Sequence, residues 1–211
     1  MTPLKVEFLF DFGSPNAYLA EIAMPGIEKR TGARFEYVPI LLGGIFKATN
    51  NLSPFESLRG IKNKPEYQAL ETERFIHRHG ITKFKPNPFF PVNTLMLMRG
   101  AVAAKLENMF DPYFRAAYHH MWVEPKKMDD LETFRSAFKS SGIDIDRLIA
   151  RAQQDDVKKK LIEDTTDAVN RGAFGSPTFF VGNEMFLGKD QLRDVEESIV
   201  EQTGALKSKI A

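Results

Sequence analysis

Two short runs carry the residue types with chemistry to offer, and each sits at the end of an apolar stretch. Ser14-Pro15-Asn16-Ala17 follows Val6-Glu7-Phe8-Leu9-Phe10-Asp11-Phe12-Gly13, and Gly175-Ser176-Pro177 leads into Thr178-Phe179-Phe180-Val181. In the first run a strand passes through a glycine into Ser-Pro, which predicts Ser14 as a helix N-cap and Pro15 as the first helical residue. The first amides of a helix have no internal partners and lie at the positive end of its dipole, so an anion is stabilised in front of them. A dithiol redox site would set two cysteines at such a turn, but the chain contains none. Ser14-Pro15 is then either simply a good helix start or a site whose chemistry is that of a thiol supplied from outside. A free thiol ionises near ~8.5, and a hydroxyl donor beside helix amides lowers that value toward neutrality. Ser14 reads as a hydrogen-bond donor rather than a nucleophile, because no histidine stands near it in the sequence to act as base.

The second run places a proline at the first residue of a strand. Pro177 is either an ordinary trans proline at a strand edge or a cis proline in a tight turn. In the cis form the Ser176 N–H and C=O turn outward and pair with an extended peptide laid against the sheet. His77, His79, His119 and His120 fall elsewhere, and neither pair has the i, i+4 spacing that puts two ligands on one helix face, so surface or packing roles are expected and no metal site. Lys158-Lys159-Lys160 reads as the wet face of a helix.

These turns must be held by an α/β framework. Residues 5 to 10 read as a strand, 15 to 30 as a helix closed by Gly32, and Arg34 to Ile40 as a second strand, a β-α-β unit whose crossover implies a parallel pair. From Gly43 to about residue 65 a long loop rich in Gly, Asn, Lys and Pro is predicted. The period then turns helical, with Leu95, Met98, Val102 and Leu106 on one face and Leu131, Phe134 and Phe138 on another behind Asp129 and Asp130. About five helices are expected between residues 65 and 171, the last ending at Gly172. Strand character returns at Thr178 to Val181, with a Gly182-Asn183 turn into Glu184 to Leu187 and a final helix from near Asp190. That order predicts a thioredoxin-like fold with an all-helical domain inserted after the first β-α-β unit: residues 1–45 and 172–211 form the first domain and 46–171 the insertion.

Composition bounds the partners. With 211 residues, 43% hydrophobic, and 18 phenylalanines, the chain has enough apolar surface for a well-buried core. A net charge of +1 gives no argument for nucleic acid or an acidic membrane. The amino-terminal residues lack a basic segment and long apolar run, and no apolar run approaches the roughly 20 residues that span a bilayer, so a cytoplasmic protein without a membrane partner is expected.

Phe10-Asp11-Phe12-Gly13-Ser14-Pro15-Asn16-Ala17-Tyr18, Phe90-Pro91-Val92-Asn93-Thr94, the region of Trp122, and Gly172 to Phe179 together resemble the 2-hydroxychromene-2-carboxylate isomerases and the related kappa-class glutathione transferases. The resemblance spans essentially the whole chain. It implies that the outside thiol is glutathione, that Ser14 hydrogen-bonds its sulfur, and that Ser176 beside Pro177 offers main chain to its cysteinyl part. The turn at Gly188-Lys189-Asp190 would hold the γ-glutamyl end, its amides taking the carboxylate and Asp190 the ammonium, although Asp190 is equally a simple N-cap. Lys189 departs from the family pattern, where a small polar residue precedes the aspartate. Asn51 and Lys64 match positions that reach glutathione or the second substrate, and the bland reading of Lys64 is a solvated lysine. Asn93 either caps the following helix or touches substrate. Phe12, Phe89, Phe90, Met96 and Trp122 form either an apolar wall for an aromatic substrate or ordinary core.

On this resemblance the activated thiolate adds reversibly to a conjugated carbon of a small aromatic carboxylate, the bond rotates, and glutathione is regenerated. Lys62, Lys64 and Asn51 are the candidate partners of the substrate carboxylate. The family also implies a homodimer. Two competing readings are a kappa-type transferase or peroxidase, which consumes glutathione, and a non-catalytic binding protein on the same fold.

Overall fold

The computed structural model describes residues 4–204; the outermost positions of the expected domain segments, 1–3 and 205–211, lie outside them. Strand β1 (Val6–Phe10) leads into helix α1 (Pro15–Thr31) and strand β2 (Phe35–Pro39), and eight helices follow before the chain returns to the sheet. These are α2 (Leu42–Thr49), the single turn α3 (Pro54–Ser57), α4 (Lys64–Arg78), α5 (Leu95–Leu106), α6 (Phe110–Trp122), α7 (Leu131–Ser140), α8 (Ile145–Ala152) and α9 (Asp155–Asn170). The hairpin β3 (Thr178–Val181) and β4 (Glu184–Leu187) then precedes a 3₁₀ turn at Lys189–Gln191 and α10 (Leu192–Thr203).

The sheet runs β2-β1-β3-β4, with β1 parallel to β2 and antiparallel to β3. Side chains alternate across it, as the period of a strand requires. In the larger core Phe8 stacks on Phe10 and Phe179 and Phe10 meets Phe114 edge to face, while Leu9, Ile40 and Phe180 face a second cluster completed by Ile45 of α2 and Ala168 of α9. Glu7 shares that second face and is buried only because Arg171, at 2.6 Å, and Lys5, at 2.8 Å, hold its carboxylate. No helix among the described residues is long and apolar enough to cross a membrane.

Three sequence expectations are corrected. The stretch from Gly43 contains helix α2 and the turn α3 rather than one long loop. Gly43 and Gly44 read as breakers, yet a Cβ at Gly44 would stand 3.2 Å from Thr165 Cγ2, so the missing side chain lets α2 close against α9. The α2 start is fastened from outside: Leu41 N–H donates to Thr165 Oγ1 at 2.9 Å and Leu42 N–H to Asp11 Oδ2 at 2.8 Å. Six helices, α4 to α9, stand where about five are expected, because the short α8 has its own cap, Asp144, and its own apolar face in Ile145, Leu148 and Ala152. The last helix begins at Leu192, so Asp190 sits inside the 3₁₀ turn and does not cap α10.

Candidate active site

Asp11 ends the apolar strand and organises everything around Ser14. Its carboxylate is fully buried, and it accepts from Gly13 N–H at 2.8 Å, Leu42 N–H at 2.8 Å and the Thr94 hydroxyl at 3.0 Å. Burial raises the pKa of this carboxyl, against the pull of those three donors. Its main chain contributes as well: Asp11 C=O accepts from Ser14 N–H at 3.0 Å and Asp11 N–H donates to Ser176 Oγ at 3.2 Å. One residue therefore ties together the turn before α1 and the starts of α2 and α5, with the proline turn before β3. Nothing in the periodicity singles it out; the available signal is an acidic residue directly after the apolar run Phe8-Leu9-Phe10 at the end of a buried strand, a position that must be hydrogen-bonded if it too is buried.

Ser14 stands at the N-cap as expected, with extended backbone, and its Oγ accepts from Ala17 N–H at 3.1 Å. With Pro15 lacking an N–H, Asn16 provides the first-turn amide not taken by the cap. The Ser14 hydroxyl proton goes to the Ser176 carbonyl at 2.8 Å. Ser176–Pro177 is a cis peptide, the second of the two forms expected for it. Pro177 C=O accepts from Gly188 N–H at 2.9 Å, which brings the Lys189-Asp190 turn to the same end of the sheet. Asn51 joins from the end of α2, its amide donating to Phe174 C=O at 2.9 Å. Ser14, Ser176, Pro177, Asn51, Lys189 and Asp190 are thus connected through neighbouring main chain.

Lys189 departs in structure as it does in sequence. It is buried to 3% exposure, its Nζ lies 5.0 Å from the centre of the Phe75 ring, and it donates to both oxygens of Asp190, at 2.8 and 2.7 Å. The Asp190 carboxylate remains largely exposed.

The remaining candidates separate into core and periphery. Phe12 and Trp122 belong to the core and form no surface wall: Phe12 is fully buried, Trp122 is 2% exposed, and the indole N–H donates to Phe12 C=O at 2.8 Å. A buried indole needs that acceptor, and its ring stacks on Phe84. Phe90, preceding a second cis proline, is half-buried between Trp122 and Phe55, and Phe89 is exposed. Asn93 does not occupy the N-cap of α5, which is Thr94; its Oδ1 accepts from Leu95 N–H at 3.0 Å. Met96 lies half-buried beside it. Lys62 and Lys64 are exposed, and no hydrogen bond or ion pair among the described residues links them to the Ser14 turn. His77 and His79 are exposed, His120 is packed in the core with Ser141 as a partner, and His119 faces Glu124 at 3.4 Å.

A capped helix start facing a cis-proline turn across a β-α-β and hairpin sheet, with a helical block between the halves, defines a thioredoxin-like protein. The chain belongs to the family of DSBA-like thioredoxin domains, whose model matches residues 5–200. It is similar to a 2-hydroxychromene-2-carboxylate isomerase of Sphingobium xenophagum, 28% identical over 199 residues, which cover 93% of this chain and 98% of that one. It is also similar to glutathione S-transferase kappa 1 of Rattus norvegicus, at 24% identity over 83% of this chain and 80% of the relative. Among solved structures, a 2-hydroxychromene-2-carboxylate isomerase superposes with a TM-score of 0.78 at 25% identity, covering 98% of both chains.

Proposed function

We propose that this chain is a glutathione-dependent cis-trans isomerase of the 2-hydroxychromene-2-carboxylate type, acting on a small aromatic carboxylate. The observation that carries the reading is the bond between the Ser14 hydroxyl and the Ser176 carbonyl at a helix start without cysteine. Both groups are suited to a thiol peptide: the hydroxyl and the Asn16 amide to a sulfur anion, the carbonyl to a peptide N–H. A ligand carrying both replaces one internal hydrogen bond with two external ones, and Ser14 turns its proton from the carbonyl to the sulfur. The residues present suit glutathione at its cysteinyl part. At the γ-glutamyl end Asp190 keeps exposed carboxylate for an ammonium, shared with Lys189.

When bound, glutathione supplies the thiolate that this reaction type needs. The chain's own part is to hold that sulfur ionised with Ser14 and the amide at the α1 start, and to keep the turn rigid through Asp11. Asn51, Lys62 and Lys64 are our candidates for the substrate carboxylate. A homodimer is part of the same reading, supported by exposed Leu52, Phe55, Ile61, Tyr67 and Leu70 along one segment. So is action in the cytoplasm, where the thiol pool is glutathione. A transferase that consumes glutathione is the second reading, favoured by the kappa-class relative. A non-catalytic binding protein is the third, favoured by the Lys189–Asp190 pair.

Titrating glutathione into the protein while following the ultraviolet thiolate band across pH tests the site, with Ser14→Ala as control. Bound thiol ionising well below its free value, and less readily in the variant, supports the reading; absence of saturable binding gives the third reading instead. Turnover of 2-hydroxychromene-2-carboxylate with glutathione conserved distinguishes the isomerase from the transferase.

A further inference from the structure

Helices α2, α5 and α9 line a half-open cavity of about 350 Å³ that shares no residue with the Ser14 turn, within the size range of small-molecule sites. Its walls are mostly apolar, with Leu41 and Ala48 on the α2 side, Leu95 on α5 and Leu161 and Ile162 on α9. Ile162 is 64% exposed, an apolar residue facing solvent on the rim. The ionisable groups lining it are Arg99 and Lys158, both cationic. Thr165 adds no free polar group, since its hydroxyl donates to Leu161 C=O at 2.6 Å and accepts from Leu41 N–H.

Arg99 is the unusual member. It is half-buried. Unlike Arg147 and Arg151, which reach Glu107, it makes no hydrogen bond or ion pair among the described residues. A guanidinium partly withdrawn from water favours a planar anion that satisfies its fork of donors, and a carboxylate does so bidentately. Lys158, 3.5 Å from the exposed Asp155, is held only loosely and is able to turn inward. The walls exclude a small inorganic anion as the best fit, because they would leave its remaining surface against hydrocarbon.

We propose that this cavity is a second binding site, for a carboxylic acid with an aromatic or alicyclic body: Arg99 takes the carboxylate, Lys158 closes the mouth, and the apolar walls cover the ring. The site stands apart from the thiol reading and does not depend on it. Its α2 and α5 walls begin at the two segments that Asp11 fastens, through Leu42 N–H and the Thr94 hydroxyl.

Calorimetric titration with 2-naphthoate in the absence of glutathione tests the proposal, with 2-naphthylmethanol as the uncharged counterpart. Saturable one-site binding of the acid is expected, weakened at least about tenfold by Arg99→Gln and about threefold by Lys158→Gln, with the alcohol bound equally by all three proteins. Ala48→Phe, at an exposed position on the rim, fills the cavity and is expected to remove binding of both probes while leaving the fold intact. Ser14→Ala and saturating glutathione are expected to leave the naphthoate affinity unchanged. No saturable binding, an affinity insensitive to Arg99→Gln, or displacement of naphthoate by glutathione would each overturn it, the last by assigning the acid to the thiol site.

Discussion

The Ser14 hydroxyl donates to the Ser176 carbonyl across 2.8 Å, joining a helix cap to a cis-proline turn 162 residues away in sequence. The bond makes the two halves of the candidate site one unit, and it keeps both groups satisfied until a ligand replaces them. A hydroxyl has a single proton, so Ser14 serves either Ser176 or a sulfur at any moment.

Removing that proton has two separable effects. Ser14→Ala loses a cap and leaves the Ser176 carbonyl without its donor, for about 1–2 kcal/mol of stability. Under the isomerase reading, bound glutathione then ionises closer to its free value near ~8.5, and turnover falls about 10²-fold. Urea denaturation measures the first and the thiolate absorbance the second; unchanged ionisation would refute the donor role.

Lys189→Ser frees the Asp190 carboxylate from an ammonium that now holds both its oxygens. Glutathione affinity is expected to rise about threefold to tenfold, the scale of one well-placed charge contact. Stability is expected to drop by about 1 kcal/mol because the Lys189 ammonium no longer lies over the Phe75 ring. Calorimetry on both proteins at matched salt measures the change, and weaker binding by the variant would mean that Lys189 itself holds the ligand.

Asp11→Asn preserves shape but sets an amide N–H against a main-chain N–H, either that of Gly13 or that of Leu42. A loss of about 2–3 kcal/mol is expected, since a buried donor loses its acceptor. Hydrogen exchange should quicken at the α1 and α2 starts more than in α7, on which Asp11 has no hold. Uniform loss of protection across the chain would contradict a local anchoring role.

Two titrating groups withdrawn from water, the buried His120 and the half-buried Glu21, pull the pH dependence of stability in opposite directions. Burial lowers the pKa of His120 to about 4, with Lys126 and His119 adding to it, so the unfolded chain takes up a proton on acidification that the folded chain does not. Its contribution is complete above the ordinary histidine range near ~6.5 and is lost as the pH falls toward 4. Glu21 is the reverse: burial raises its carboxyl to about 7, so the folded chain keeps a proton that the unfolded one has lost, and stability declines as pH rises from about 4.5 to 7. Glu21→Gln should remove that decline, and His120→Phe should flatten the acid limb. Midpoints of urea unfolding from pH 4 to 8 measure both, and parallel profiles for wild type and Glu21→Gln would contradict the Glu21 assignment.

The Ser14 N-cap, the Gly32 helix end and the hairpin at Gly182-Asn183 were legible in the residues themselves, because caps, left-handed glycines and alternating strands are set by local sterics and hydrogen bonds. The β-α-β order followed from the same local signals and limited the topology. Helix α2 was hidden because its start is held by Asp11 and Thr165, residues remote in sequence, and its glycines answer to the approach of α9. The same holds within the site. Residue type marked Ser14 and Ser176 as polar groups at turns, but their direct bond, the withdrawal of Phe12 and Trp122 into the core and the folding of Lys189 onto Asp190 arise only when distant segments meet. Local geometry is encoded in neighbouring residues and was readable one element at a time; partnership between buried polar groups is chosen by which atoms the packed chain leaves within hydrogen-bond reach, and that only the tertiary structure decided.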